Sequence, residues 1–144
     1  PNFTDENQKF EIGKAVKMLE GSDVSIFATG HLLWKAIEAY EELNKKGISA
    51  EIINIHTIKP LDTHAILESV KKTKAVVVAE EHLMNGGLGD SIAQFLCGNC
   101  PLPVEFVAVD DKFGQRGTPN DLLKKYGLEA QNIVEAAEKV LSRK

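Results

Sequence analysis

The chain is poor in several things, and each shortage removes a class of function. Only two of its 17 basic residues are arginines, Arg116 and Arg143, and the net charge is −4. A nucleic-acid surface needs a concentrated basic stripe to displace counterions from phosphates, and no such stripe exists here. Cysteine occurs twice, at Cys97 and Cys100, too few for a disulfide framework and consistent with a reducing, cytoplasmic setting. No apolar run approaches the ~20 residues that span a bilayer, and the first residues carry no signal-peptide pattern, so no membrane role is expected. Neither G-x-S-x-G nor H-E-x-x-H occurs, which removes the best-known signals of serine hydrolases and zinc proteases. Methionine is absent from the first position. Residues 1–9 therefore read as the remnant of a linker and residues 10–144 as a single domain, the whole a piece of a longer protein.

What is present is an ordinary globular balance, with 43% apolar and 26% charged residues in 144, enough to build a core without staples. Four short apolar runs recur at Val24–Thr29, Glu51–His56, Ala75–Glu80 and Val104–Val109. Three are apolar almost throughout, the pattern of strands covered on both faces of a parallel sheet. Asn54 interrupts the second run and places that strand nearer an edge. Between the runs lie helical patterns: His31–Lys46 stopped by Gly47, a helix capped by Asp62 and running to Lys72, and a helix opened by Gly86-Gly87 with Leu88, Ile92, Phe95 and Leu96 on one face. Thr118-Pro119-Asn120-Asp121 starts a further helix that ends at Gly127, and Ala130–Leu141 forms the last. Phe10–Val16 reads as an extra strand entering the sheet. The fold class is α/β, a three-layer αβα sandwich of about five strands, four parallel and one an antiparallel edge strand.

In an open α/β sheet, ligands bind beyond the carboxyl ends of the strands. The residues expected there are Thr29-Gly30-His31, His56-Thr57, Glu80-Glu81-His82 and Asp110-Asp111, although strand ends are also polar simply because they meet water. Asn85-Gly86-Gly87-Leu88-Gly89 opens a helix, where backbone N–H groups can hold a phosphate. Its spacing is not that of a dinucleotide fingerprint and it lacks the P-loop lysine, so close helix packing is the competing explanation for its glycines. Cys97 and Cys100 have redox spacing, but they fall at the end of a helix, where the macrodipole disfavours a thiolate. Zinc would require two further ligands from elsewhere. Trp34 reads as a packing or interface residue and His64 as solvated. Asp110–Gly117, with Phe113, Gln115 and Arg116, is a long loop at the ligand-prone edge and a candidate contact with a partner.

Taken in order, five motifs resemble the C-terminal domain of transketolases: Asp23–Gly30 with Thr57–Asp62, Glu80-Glu81-His82 with Gly86–Gly89, Asp111–Gly117, Leu122–Leu128, and the lead-in Phe10–Ala15. The resemblance covers almost the whole chain from Phe10. The Phe113-Gly114-Gln115 loop is similar to bacterial and archaeal transketolases, in which the enzyme can be split between two chains. The synthase of 1-deoxyxylulose 5-phosphate and the β chains of pyruvate-type dehydrogenases share this domain, and the Tyr126-Gly127-Leu128 ending leans toward transketolase.

The resemblance implies transfer of a two-carbon ketol unit between sugar phosphates, as in the pentose phosphate pathway, using thiamine diphosphate and a divalent metal (magnesium or calcium) in the complete enzyme. It places no catalytic, cofactor-binding or metal-binding residue in this chain. The family's Gly-Asp-Gly motif is missing, and Gly89-Asp90-Ser91 departs from it at the third position. The expected role is structural: packing against the remaining domains or an N-terminal subunit and supporting a homodimer of the complete enzyme. Glu80, Glu81, His82, Gly86, Gly87, Gly89, Asp110, Asp111, Phe113, Gln115 and Arg116 are the candidate interface or anion-loop residues. A regulatory anion- or nucleotide-binding domain and a small redox enzyme are the competing readings.

Overall fold

The computed structural model describes residues 14–29, 32–55, 61–81, 87–109 and 119–144. In chain order the elements are β1 (Ala15–Leu19), β2 (Val24–Thr29), α1 (Leu32–Lys45), β3 (Ala50–Ile55), α2 (Thr63–Thr73), β4 (Val76–Glu81), α3 (Leu88–Asn99), β5 (Val104–Val109) and α4 (Pro119–Ser142). The five strands form one sheet in the order β1-β3-β2-β4-β5. β3, β2, β4 and β5 are parallel, and β1 joins β3 as an antiparallel edge.

Alternation along the strands divides the core into two layers. Val24, Ile26, Ala28, Ile52, Val77 and Ala79 point toward α1 and α4. Phe27, Ile53, Ile55, Val76 and Val78 point toward α2 and α3, where Ile66, Val70, Ile92 and Leu96 meet them. β2 is buried on both faces over its first five residues, which is why it reads as a continuous apolar run. The three-layer architecture with its antiparallel edge strand is therefore the one expected.

Local signals explain the helix ends. After α1 the Gly47 amide donates to the Asn44 carbonyl at 3.1 Å and the Ile48 amide to the Leu43 carbonyl at 2.9 Å. This Schellman closure requires the left-handed φ of 78° found at Gly47. Asp62 caps α2 through Ala65 N at 3.2 Å, and its other carboxylate oxygen accepts from Ala15 N at 2.8 Å. One side chain thus starts a helix and fastens the edge strand.

Two expectations are corrected. The entering strand is Ala15–Leu19 rather than Phe10–Val16; only Ala15 and Val16 overlap, and residues 10–13 lie outside the described residues. Its register against β3 includes a shift between Lys17 and Leu19, an irregularity that blurs a period-two pattern. Gly127 does not end a helix, because α4 runs unbroken from Pro119 to Ser142. Glycine inside a helix costs about 1 kcal/mol relative to alanine, which good helix formers on either side and the packing of Ile133, Val134, Ala137 and Val140 readily offset.

Candidate functional site

Of the residues singled out at the carboxyl ends of the strands, Glu80 is the best defined among the described residues. Its side chain lies on the α3 face near the end of β4 and is buried. One carboxylate oxygen, Oε2, accepts from Leu88 N at 3.0 Å and from Gly89 N at 3.3 Å. Those are the first amides of α3, which would otherwise be orphan donors at the positive end of the helix dipole. Gly87 occupies the N-cap position and supplies no side-chain cap, so Glu80 caps the helix from the neighbouring strand. A Cβ at Gly89 would stand 3.1 Å from the other oxygen of Glu80 and 3.1 Å from the Phe106 ring. Close packing leaves little room for a side chain at Gly89, the explanation set against a phosphate cradle.

This arrangement limits what the helix start can do. Its two leading amides already hold an anion, and that anion belongs to the chain. The described residues therefore do not fit a diphosphate at this helix, nor do they include three or more His, Cys, Asp or Glu side chains grouped to hold a metal ion. Near the end of β3, on the opposite face, Asn54 Oδ1 is buried without a hydrogen-bond partner.

Of the remaining predicted residues, Glu81 ends β4. Gly30, His31, His56, Thr57, His82, Asn85, Gly86 and the loop Asp110–Gly117, with Asp110, Asp111, Phe113, Gln115 and Arg116, lie outside the described residues. Cys97 is exposed and Cys100 half-buried, both unbridged, at the C-terminal end of α3. Trp34 is exposed on α1. His64 is exposed in the first turn of α2 with Glu68 at 3.6 Å.

Sequence reasoning missed a second polar cluster at the opposite end of the sheet. Glu51, near the start of β3, is buried under α2. Its carboxylate accepts from Ser69 Oγ at 2.6 Å, Lys72 Nζ at 2.5 Å and Gly21 N at 3.3 Å. Ser69 continues to Ser25 Oγ, which also meets Thr73 Oγ1, each at 2.6 Å. Burial pushes the Glu51 carboxyl up, but the Lys72, Ser69 and Gly21 hydrogen bonds and the Lys72 charge outweigh it and hold it below its ordinary value. Lys72 is raised in return, chiefly by its hydrogen bond to Glu51. A half-open cavity of about 250 Å³ lies above this cluster, bordered by Lys17, Glu20, Glu51, Ser69 and Lys72. The available signal was a glutamate in a mostly apolar strand, with Ser69 and Thr73 four residues apart on the buried stripe of the next helix.

The profile of the transketolase C-terminal domain matches residues 13–133. The chain belongs to the transketolase C-terminal domain family. Over 139 residues it is 48% identical to a 6-deoxy-6-sulfo-D-fructose transketolase subunit of Clostridium sp. (strain MSTE9), covering 96% of this chain and 43% of that protein. It is 37% identical to a 1-deoxy-D-xylulose-5-phosphate synthase of Caldanaerobacter subterraneus subsp. tengcongensis, over 93% of this chain and 21% of the relative. Among solved structures it is similar to a split-gene transketolase described as an inactive β4 tetramer, with a TM-score of 0.84 and 42% identity over 99% of this chain and 46% of the other. This transketolase-family domain thus spans less than half the length of each of these relatives. Among the described residues, no helix is long and apolar enough to cross a membrane.

Proposed function

We propose that this domain is the non-catalytic C-terminal section of a thiamine-diphosphate-dependent transketolase that transfers a two-carbon ketol unit between sugar phosphates, in the manner of the pentose phosphate pathway, in the cytoplasm. Its work is to pack against the remaining domains or an N-terminal subunit and to support a homodimer of the complete enzyme. Thiamine diphosphate and the magnesium or calcium ion belong, in this reading, to those other parts.

The observation that carries the reading is the occupied start of α3. A domain of this family with its best-placed anion-binding amides closed by Glu80 is built to hold its own shape rather than a diphosphate. The same observation weighs against a regulatory nucleotide-binding domain. The likeness to a 1-deoxy-D-xylulose-5-phosphate synthase supports a second reading, the C-terminal domain of such a synthase, with the same structural role.

Titrating the chain with thiamine diphosphate and magnesium tests the non-catalytic role: no saturable binding is expected, and micromolar binding would refute it. Restoring the companion section and assaying ketose donors against pyruvate with an aldose phosphate separates the two enzymes. Ketol transfer without pyruvate decarboxylation is expected.

A further inference from the structure

The half-open cavity above the Glu51 cluster lies between the edge strand β1 and helix α2. Ala15, Ile53 and Ala65 give it an apolar wall, and Lys17, Glu20 and Lys72 stand at its rim. Its frame is held by hydrogen bonds within the chain. At one end Asp62 accepts from the Ala15 amide at 2.8 Å and from the Ala65 amide at 3.2 Å. At the floor Glu51 accepts from Ser69, Lys72 and the Gly21 amide. A pre-formed, partly apolar hollow with a few convergent polar groups is the usual form of a small-molecule site. At about 250 Å³ it falls just under the ~300–1,000 Å³ typical of drug-sized ligands, so its occupant is a compound of a few carbon atoms.

The charges at the rim select the kind of compound. Oε1 of Glu20 stands between two ammonium groups, 3.4 Å from Lys17 Nζ and 3.8 Å from Lys72 Nζ. A carboxylate oxygen thus fits between the two lysines, and the chain supplies one on a tether. The tether is weakly held. Glu20 follows the end of β1, its side chain is 76% exposed, and exposed ion pairs contribute little. Lys72 has three N–H donors and Glu51 Oε1 engages one of them, which leaves others for an anion at the rim. With Glu20 swung out, Lys17 and Lys72 face the carboxylates of Glu51 and Glu68. One added negative charge restores the balance that Glu20 now gives. A dianion such as phosphate would add a second and be repelled by both acids. Neither acid invites a cation: Glu51 is already held by Lys72 and Ser69, and Glu68 lies 3.6 Å from His64.

We propose that this cavity binds a small organic monocarboxylate, its carboxylate between Lys17 and Lys72 in place of Glu20 and its apolar body on Ala15, Ile53 and Ala65. Glu20 is a tethered competitor that swings out as the ligand enters. Burial of a few methylene groups supplies the affinity, and the two ammonium groups fix the orientation. The site lies at the opposite end of the sheet from the start of α3, and it goes beyond the structural role proposed above. A ligand of this size gives a dissociation constant on the order of 1 mM.

Titration of the isotope-labelled chain with sodium pentanoate, followed by amide NMR shifts, tests the proposal. Saturable shifts are expected at Ala15, Ile53 and Ala65, with half-saturation near ~1 mM. Pentanamide, neutral and of nearly the same shape, should bind about tenfold more weakly. Lys17→Met should weaken pentanoate about fivefold and leave the fold intact, because that side chain is 46% exposed. Glu20→Ala should tighten pentanoate about threefold, since removing a tethered competitor raises the fraction of open sites. A merely apolar hollow would not respond in that direction. No saturation below roughly 50 mM, equal binding of pentanamide, or a Glu20→Ala variant no tighter than the parent would each overturn the site. So would inorganic phosphate binding at these residues more tightly than pentanoate. None of these outcomes bears on the non-catalytic role, which is judged by titration with thiamine diphosphate and magnesium.

Discussion

Glu51 and Glu80 are both buried carboxylates on the same face of the sheet, at opposite ends, and they are stabilised by opposite means. Glu51 relies on other side chains: a lysine ammonium, a serine hydroxyl and one backbone amide. Glu80, among the described residues, relies on the main chain, through two amides at the start of α3. The first solution requires Glu51 of β3, Ser69 and Lys72 of α2 and the Gly21 amide to converge, and an uncompensated buried charge results if the cation is lost. The second uses groups that every helix start provides, so its partners cannot be mutated away. Removing a partner should therefore be costly at Glu51, and neutralising the acid itself should be mild at Glu80.

The strongest disturbance should come from Gly21, whose amide donates to Glu51. A Cβ there would stand 2.2 Å from the Ala50 carbonyl carbon, and backbone cannot yield as a side chain does. Gly21→Ala should cost about 3 kcal/mol or prevent folding, read by denaturant unfolding. Next is Lys72→Met, which leaves Glu51 buried without its cation. Because the Lys72 side chain is 37% exposed and water screens part of the pair, about 2 kcal/mol is expected rather than the full cost of breaking a buried ion pair. The double variant Lys72→Met with Glu51→Met should recover most of that loss. If it does not, the cost lies in packing and the contrast with Glu80 weakens.

Glu80→Gln keeps an acceptor at the helix start and removes only the charge–dipole attraction, so about 1 kcal/mol should be lost. A loss as large as that of Lys72→Met would show that the two sites are not different in kind. The smallest effect is the pH dependence. Glu51 is held below its ordinary value of 4.5, so its contribution is fully present above that pH and is lost as pH falls through the lowered folded value. Thermal unfolding followed on acidification below 4.5 should show the parent chain losing more stability than Glu51→Gln. For Lys72 the sign reverses: its contribution is present below 10.5 and is lost as pH rises through the raised folded value.

Most of the framework was legible because it rests on local periodicity. Val24–Thr29 and Val104–Val109 read as strands with their observed bounds, since each concentrates β-branched and aromatic residues in a short run. Gly47 and Asp62 read as helix ends, because capping chemistry lies within a few residues of the end it caps. Gly127 misled for the complementary reason: a glycine marks a stop only if the chain turns there, and the packing of α4 against the sheet overrides a local preference. β1 was placed too early because an edge strand has weak alternation and a register shift. The motif order Asp23–Leu128 carried the family, while its own residues gave no chemistry. The Glu51 cluster joins residues 18, 21 and 30 positions apart, and Phe106 meets Gly89 across two elements. Such juxtapositions exist only in three dimensions, and no window along the chain contains them.

The double grip of Asp62, one oxygen on Ala65 and the other on Ala15, has a consequence for the order of assembly. The link to Ala15 closes a loop of 47 residues, and the strand it anchors pairs with β3 rather than with a sequence neighbour. Long loops lose more chain entropy before any contact rewards them. The clasp itself is not formed until α2 has nucleated and oriented its first turn. β1 is thus the strand expected to zip on last, after the parallel sheet has condensed, and Val16→Ala should speed unfolding while leaving the folding rate nearly unchanged.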